Sequence, residues 1–206
     1  VSHFRSDIRQ RGVDLVALYP QARSAMLPLL HLAQEQDGYL SDEGIAEVAE
    51  LTNTTPADVR GTASFYDMFH LEPVGKYVVS ICTNIACLLA GGLEMLEHAS
   101  ATLGCSVGGT SDDGLFTLEE AECLADCDYS PCVQVNHRYV RTTTAATFDA
   151  MVDELRNGRL DHDVPAHGTL VRVRRSVGLR APRQEVVAQR ATAREARAER
   201  VAKEEK

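Results

Sequence analysis

Six cysteines stand in this 206-residue chain, and four of them fall into two close pairs. The first pair is Cys82-Thr-Asn-Ile-Ala-Cys87, a C-x4-C spacing, and the second is Cys123-Leu-Ala-Asp-Cys127, a C-x3-C spacing. A pair spaced in this way presents two sulfurs from one loop. Two such loops supply four thiolates, the donor set of a zinc ion or an iron–sulfur cluster. Structural zinc sites most often use a narrower C-x2-C knuckle, although wider gaps are tolerated. A binuclear cluster is larger than one ion, and its sulfides accept hydrogen bonds from backbone N–H groups, so wide loops bearing Gly and Asn suit it. Neither the plant-type nor the bacterial ferredoxin run is present. The C-x2-C motif of dithiol exchange is also missing. From spacing alone, iron–sulfur is the first reading, zinc the second, and plain buried or reactive thiols the third. Cys105, in a Gly-rich loop, reads as a spare thiol. Cys132 repeats the C-x4-C gap after Cys127 and so competes with Cys123 or Cys127 as a ligand; a nonligand beside the site is the favoured reading.

These sulfurs need strands and helices to bring them together. Tyr77, Val78, Val79 and Ile81 form a short β-rich run that delivers Cys82 at its end. The stretch from Ala86 to Leu103 reads as helical with a break at Gly91-Gly92, and Leu93, Leu96 and Ala99 mark its inner face. Leu115 to Leu118 is a second strand, Val133 to Asn136 and Arg138 to Val140 are two more around a tight Asn136-His137 turn, and Thr144 caps a helix from Ala145 to Asn157. The order β, α, β, β, β, α predicts a small α/β sandwich with a right-handed crossover between parallel strands. Strand ends share one edge of a sheet, so two loops distant in sequence can converge there.

The first 70 residues read as helical. Ala22, Met26, Leu29, Leu30 and Ala33 recur at three- and four-residue steps, Pro28 kinks that helix or shifts its start, and Gly38 stops it. Ser41 before Asp42 and Glu43, and Thr55-Pro56-Ala57-Asp58, are two further helix starts. Phe65, Tyr66 and Phe69 read as an aromatic plug for the helices, with no ligand role for His70.

Composition excludes several classes. The chain is 44% hydrophobic with no Trp, enough for a real apolar core. Residues 1–170 carry 10 Lys/Arg against 25 Asp/Glu, a net −15, whereas residues 171–206 carry +6. An acidic body argues against nucleic acid as the main partner. No window approaches the ~18 consecutive apolar residues of a membrane span. The opening residues show no charged-then-apolar leader, so a reducing cytosolic setting is expected. No G-x-G-x-x-G follows a strand and no P-loop is present.

The motifs taken together resemble the 24-kDa-type, E-type subunit of respiratory NADH:quinone oxidoreductase, a family that includes subunits of NAD-reducing hydrogenases and NAD-dependent formate dehydrogenases. The resemblance covers about residues 15–160. It runs through Leu27-Pro-Leu-Leu-His-Leu-Ala-Gln-Glu-Gln-Asp-Gly-Tyr-Leu40, Phe65-Tyr66 and Pro73-Val-Gly-Lys-Tyr77. It is most specific at Cys82 to Gly92, Gly114-Leu-Phe-Thr-Leu118 and Glu122-Cys-Leu-Ala-Asp-Cys127. The resemblance implies an α+β or α/β fold, with an N-terminal helical bundle (1–72) and a thioredoxin-like [2Fe-2S] domain (73–160). A basic C-terminal extension (161–206), for docking or disordered, has no counterpart in the family.

It also implies one [2Fe-2S] cluster on Cys82, Cys87, Cys123 and Cys127. FMN and NAD belong to a partner subunit, the direct dimer partner, and other peripheral-arm iron–sulfur subunits complete the complex. This chain then exchanges single electrons with that FMN, has no complete active site of its own, and meets the cytoplasmic face of the plasma membrane only through the complex. Four thiolates around two ferric ions and two sulfides leave a dianion, and an acidic body favours a low potential for it. Tyr129-Ser-Pro-Cys132 departs from the Ala-Pro segment usual in the family. The alternatives are the equivalent diaphorase subunit of a hydrogenase or formate dehydrogenase, a zinc-stabilised interaction module, and a freely diffusing ferredoxin.

Overall fold

The computed structural model describes residues 2–164 apart from 143 and 162, and all of these fall in one compact unit. The basic extension from residue 165 onward therefore lies outside the described residues.

Four helices come first: α1 (Ser6–Val16), α2 (Met26–Asp37), α3 (Asp42–Thr52) and α4 (Pro56–Ala63). A 3-10 turn, Ala22–Ala25, precedes α2, so Pro28 falls in the first turn of α2 and shifts its start instead of kinking it. Gly38 ends α2 with φ +80°, a left-handed conformation suited to glycine. Ser41 caps α3 by accepting the Gly44 N–H at 3.1 Å. Thr55 and Asp58 form a reciprocal capping box on α4. The helices bury Ile8, Leu29, Leu30, Ile45, Val48 and Val59 in a core of their own. Buried Gln34 ties the exit of the bundle down: its amide donates to Met68 O and its oxygen accepts the His70 N–H, both at 2.9 Å. Phe69 is buried as expected, but Phe65 is 81% exposed, which corrects the reading of all three aromatics as a core plug. Phe65 lies just beyond the end of α4 and meets Tyr66 edge-on, with ring centroids 5.2 Å apart, instead of entering the core.

Among the described residues, four strands form one sheet in the order β2-β1-β3-β4. β1 (Tyr77–Cys82) runs parallel to β2 (Phe116–Ala121) and antiparallel to β3 (Val133–Val135), which pairs antiparallel with β4 (Arg138–Val140). The parallel pair is joined through α5 (Ile85–Leu89) and α6 (Gly92–Leu103), as the expected crossover requires. The β3–β4 turn holds Asn136 and His137 at φ +48° and +62°, a conformation that Asn tolerates. The Asn136 side chain accepts the Val78 N–H at 2.8 Å and donates to Lys76 O at 3.0 Å, which pins the turn to β1.

Side chains alternate along β1. Tyr77, Val79 and Ile81 join Met95, Leu96, Ala99 and Leu103 of α6 and the inner face of α7 (Ala145–Arg156) in a second core. All six residues of β1 are buried, so the strand is covered on both faces. Thr144 caps α7 as expected. Leu93 is half exposed, so the inner face of α6 runs through Met95, Leu96 and Ala99 and does not include Leu93. Beyond α7, Asp161 accepts from Lys76 Nζ at 2.9 Å and from the Tyr77 hydroxyl, and Val164 is buried in the sheet core.

Candidate metal centre

Cys82 is the last residue of β1, and its register partner is Ala121, the last residue of β2. Cys87 follows on α5, and Cys123 stands two residues past β2. The parallel pairing therefore delivers both cysteine pairs to the same end of the sheet. The shared sheet edge is what strand-end placement predicts, but among the described residues no three metal-ligating side chains are brought together into one metal-holding group.

The two pairs meet different surroundings. Cys82 and Cys87 are 2% and 1% exposed and form an apolar knot with Cys132 and Leu124. Cys123 and Cys127 are exposed. Among the described residues the four thiols do not close into one cage. Cys87 packs with Cys82 and Cys132, its sulfur accepts the Cys132 N–H at 3.4 Å, and it stands 3.6 Å from Ser130 Oγ. Cys105 packs instead against the sheet core.

The loop that carries Cys123 and Cys127 is fastened at several points. The Tyr139 hydroxyl donates to Leu124 O. The Arg141 guanidinium stacks 3.8 Å from the Tyr129 ring centroid and approaches Asp126 at 3.9 Å. Ser130 Oγ donates to Cys127 O at 2.7 Å, and the Cys132 thiol donates to Asp126 O at 2.8 Å. Between the two cysteines, Ala125 adopts φ +60°, a region that costs an L-residue energy.

On the other loop, Asn84 caps α5 and Gly92 begins α6. A Cβ at Gly92 would stand 2.8 Å from both Cys82 O and Cys87 O, so only glycine lets α6 pack this closely on the cysteine loop.

The electrostatics separate the sulfurs. Burial pushes the Cys82 thiol up, and neighbouring Cys87 adds to it. Burial also works against ionisation of Cys87, but the Cys132 N–H, Ser130 and the adjacent thiols outweigh it and hold Cys87 below the usual thiol value. Burial, reinforced by Cys87, pushes Cys132 up to about 12. Desolvation and then the neighbouring Cys123 and Cys87 raise Cys127.

This donor set suits a metal with affinity for thiolate. Four sulfurs on two loops at one sheet end match zinc or a binuclear iron–sulfur cluster in kind and number. The Cys132 N–H, 3.4 Å from Cys87 Sγ, is the type of backbone donor to sulfur that stabilises a cluster's charge.

Sequence reasoning missed an apolar patch beside the sulfurs. Ile85, Leu88, Leu89 and Leu93 are 71, 43, 84 and 50% exposed, on α5 and the first turn of α6 around buried Cys87. Its signal was the length of α5: a five-residue helix that turns Cys87 inward cannot also bury Leu88 and Leu89.

Comparison with known proteins places these observations among relatives. The thioredoxin-like [2Fe-2S] ferredoxin family matches residues 13–156. NADH-quinone oxidoreductase subunit 2 of Thermus thermophilus is 38% identical over 158 residues, covering 75% of this chain and 87% of that protein. An E-type NADH-quinone oxidoreductase subunit of Rhizobium meliloti is 39% identical over 149 residues, 72% of this chain and 89% of that one. The E-type subunit of Mycobacterium tuberculosis is 40% identical over 144 residues, and the match spans 57% of its length. Among solved structures, a chain of an NAD+-reducing [NiFe]-hydrogenase in the H2-reduced state superposes with a TM-score of 0.58 at 23% identity. It covers 68% of this chain and 23% of that one, and it shows a shared fold.

Proposed function

Because the chain belongs to the thioredoxin-like [2Fe-2S] ferredoxin family, we propose that it is an electron-transfer subunit of an NADH–quinone oxidoreductase, exchanging single electrons with the FMN of a partner subunit that also binds NAD. The observation that supports this reading is the parallel β1–β2 register, which ends the strands level at Cys82 and Ala121 so that both cysteine-bearing loops leave from one end of the sheet. Cys82, Cys87, Cys123 and Cys127 would hold a [2Fe-2S] cluster, which when bound supplies a one-electron store. The residues around it do the rest. The Cys82–Cys87 half is walled by Cys132 and Leu124, which keep water from two of the four sulfurs. The Cys132 N–H places positive density on the Cys87 sulfur.

The exposed Ile85, Leu88, Leu89 and Leu93 give the FMN-bearing partner an apolar landing surface beside the sulfurs. Glu94, next to Leu93 on α6, is exposed, as are Glu120, Glu122 and Asp128 on β2 and the loop after it, so a partner with a basic rim fits best. Other iron–sulfur subunits of a peripheral arm, and attachment to the cytoplasmic face of a membrane through the complex, belong to the same proposal. So does the division into a bundle (1–72), a cluster domain (73–160) and an extension (161–206). No helix of the described residues is long and apolar enough to cross a membrane. The hydrogenase-like fold keeps open the equivalent diaphorase role in another NAD-linked complex.

Anaerobic purification tests the reading. The expected product is red-brown, contains iron and acid-labile sulfide in equal amounts, and gives an electron paramagnetic resonance signal after reduction. A colourless, zinc-containing product would replace the proposal with a zinc-stapled interaction module. Mass spectrometry of co-purifying subunits identifies the complex, and a chain that purifies without a flavoprotein would favour a diffusing ferredoxin.

A further inference from the structure

We propose that Cys132 and Cys87 form a disulfide in the metal-free chain under peroxide stress, and that this bond bars cluster loading until it is reduced. The bond itself depends on where the two sulfurs stand. Its effect on loading rests on the reading of Cys87 as a ligand.

Three observations place the pair. Cys132 and Cys87 are 3% and 1% exposed, and they share one apolar knot, so both are fixed by packing. The Cys132 N–H points at Cys87 Sγ from 3.4 Å, so the Cys87 sulfur lies against the Cys132 backbone. The ladder holds this arrangement: Ile81 pairs with Val133, and Cys82 N–H donates to Cys132 O at 3.0 Å, which fixes Cys132 just before β3.

Cys82 is the competing partner, because it shares the same apolar knot with Cys87. Both thiols donate to a carbonyl, Cys82 to Glu122 O at 3.2 Å and Cys132 to Asp126 O at 2.8 Å, and Cys132 is preferred because its N–H also meets the Cys87 sulfur. To bridge to Cys87, the Cys132 thiol gives up its bond to Asp126 O at 2.8 Å by rotating about χ1.

The chemistry needs one oxidant, hydrogen peroxide. One sulfur of the pair attacks an oxygen of the peroxide. An S–O bond forms, the O–O bond breaks, and hydroxide leaves with the thiol proton as water. The second sulfur then attacks the sulfenic sulfur. The S–S bond forms, the S–O bond breaks, and the second thiol proton leaves with the hydroxide as a second water. Two thiols are oxidised by two electrons and one peroxide is reduced to two waters. A bridged Cys87 has no thiolate to offer iron. Conversely, a Cys87 sulfur bound to iron is not free to bridge, so the loaded chain resists the reaction.

The test uses the full chain, stripped of iron and sulfide without air and treated with hydrogen peroxide. Free thiols are then alkylated and the peptides mapped. A linked Cys87–Cys132 peptide is expected, and it should be absent from the loaded chain treated in the same way. Recovery of Cys132 in its alkylated form, whatever else has bridged, would overturn the proposal. For loading, peroxide-treated wild type, Cys132→Ala and Cys132→Ser are supplied with iron and sulfide. Both variants are expected to retain several-fold more cluster absorbance than wild type. Equal losses in all three would overturn the effect on loading. If the reduced, untreated chain takes up no cluster, the ligand reading fails while the peptide map still judges the bond.

Discussion

Cys82 and Cys127 differ in what surrounds their sulfurs, but the proposed site needs both. Replacing either with Ser is expected to abolish or strongly reduce bound iron, measured by metal analysis and the reduced paramagnetic signal, whereas Cys105→Ser should leave iron content unchanged because Cys105 packs on the sheet core. Iron retained in full by Cys127→Ser would transfer that ligand role to Cys132. The backbone between the exposed pair makes a second prediction. Ala125 holds φ +60°, where a side chain is strained and glycine is not. Ala125→Gly should therefore raise stability by up to about 1 kcal/mol, read from urea unfolding, with no loss of iron. The pairing of the four cysteines was legible in the sequence because spacing alone defines a loop. The burial of Cys132 was not, since it depends on the β1–β3 register, which joins residues some fifty positions apart.

At the scale of elements, α5 and α6 are set by one glycine and one short turn. Gly92→Ala would press a methyl group against two carbonyl oxygens of the cysteine loop, both backbone atoms. The expected cost is about 1–3 kcal/mol in denaturant titration, together with reduced cluster retention. The outer face of the same elements makes a separable prediction. Leu89, 84% exposed, contributes nothing to the core. Leu89→Asp should leave stability and iron content as they are while greatly weakening co-purification with the flavoprotein partner. Helix starts and stops were the most readable features, because caps at Ser41, Thr55 and Thr144 are local chemistry. Leu93 and Phe65 were misplaced because periodicity identifies apolar side chains without saying whether a neighbouring element exists to cover them.

For the molecule as a whole, acid is the lever. His70 is half-buried where the exit of the bundle meets β2, with Nδ1 3.5 Å from Glu119. Burial, and then repulsion from His137, lower its pKa from 6.5 to about 4. His31 is likewise lowered by burial and by His137. The unfolded chain takes up these protons before the native fold can. Stability is therefore full above about pH 6.5 and falls as the pH drops towards about 4. Glu119, raised by burial, works in the opposite direction over the same descent and offsets part of the loss. Urea midpoints measured across this range should decline, and His70→Gln should flatten the decline. The junction was hidden in the sequence because its charged groups come from α2, β2 and the β3–β4 turn. Asp161, bound to Lys76 and Tyr77, returns the chain to the beginning of β1, while the sulfurs stand at the end of that six-residue strand. The strand is thus a spacer of about 20 Å between two poles. The chain leaves the described fold at the quiet pole, so a label or tether fused downstream of Val164 starts its reach a strand's length from the proposed electrical contact.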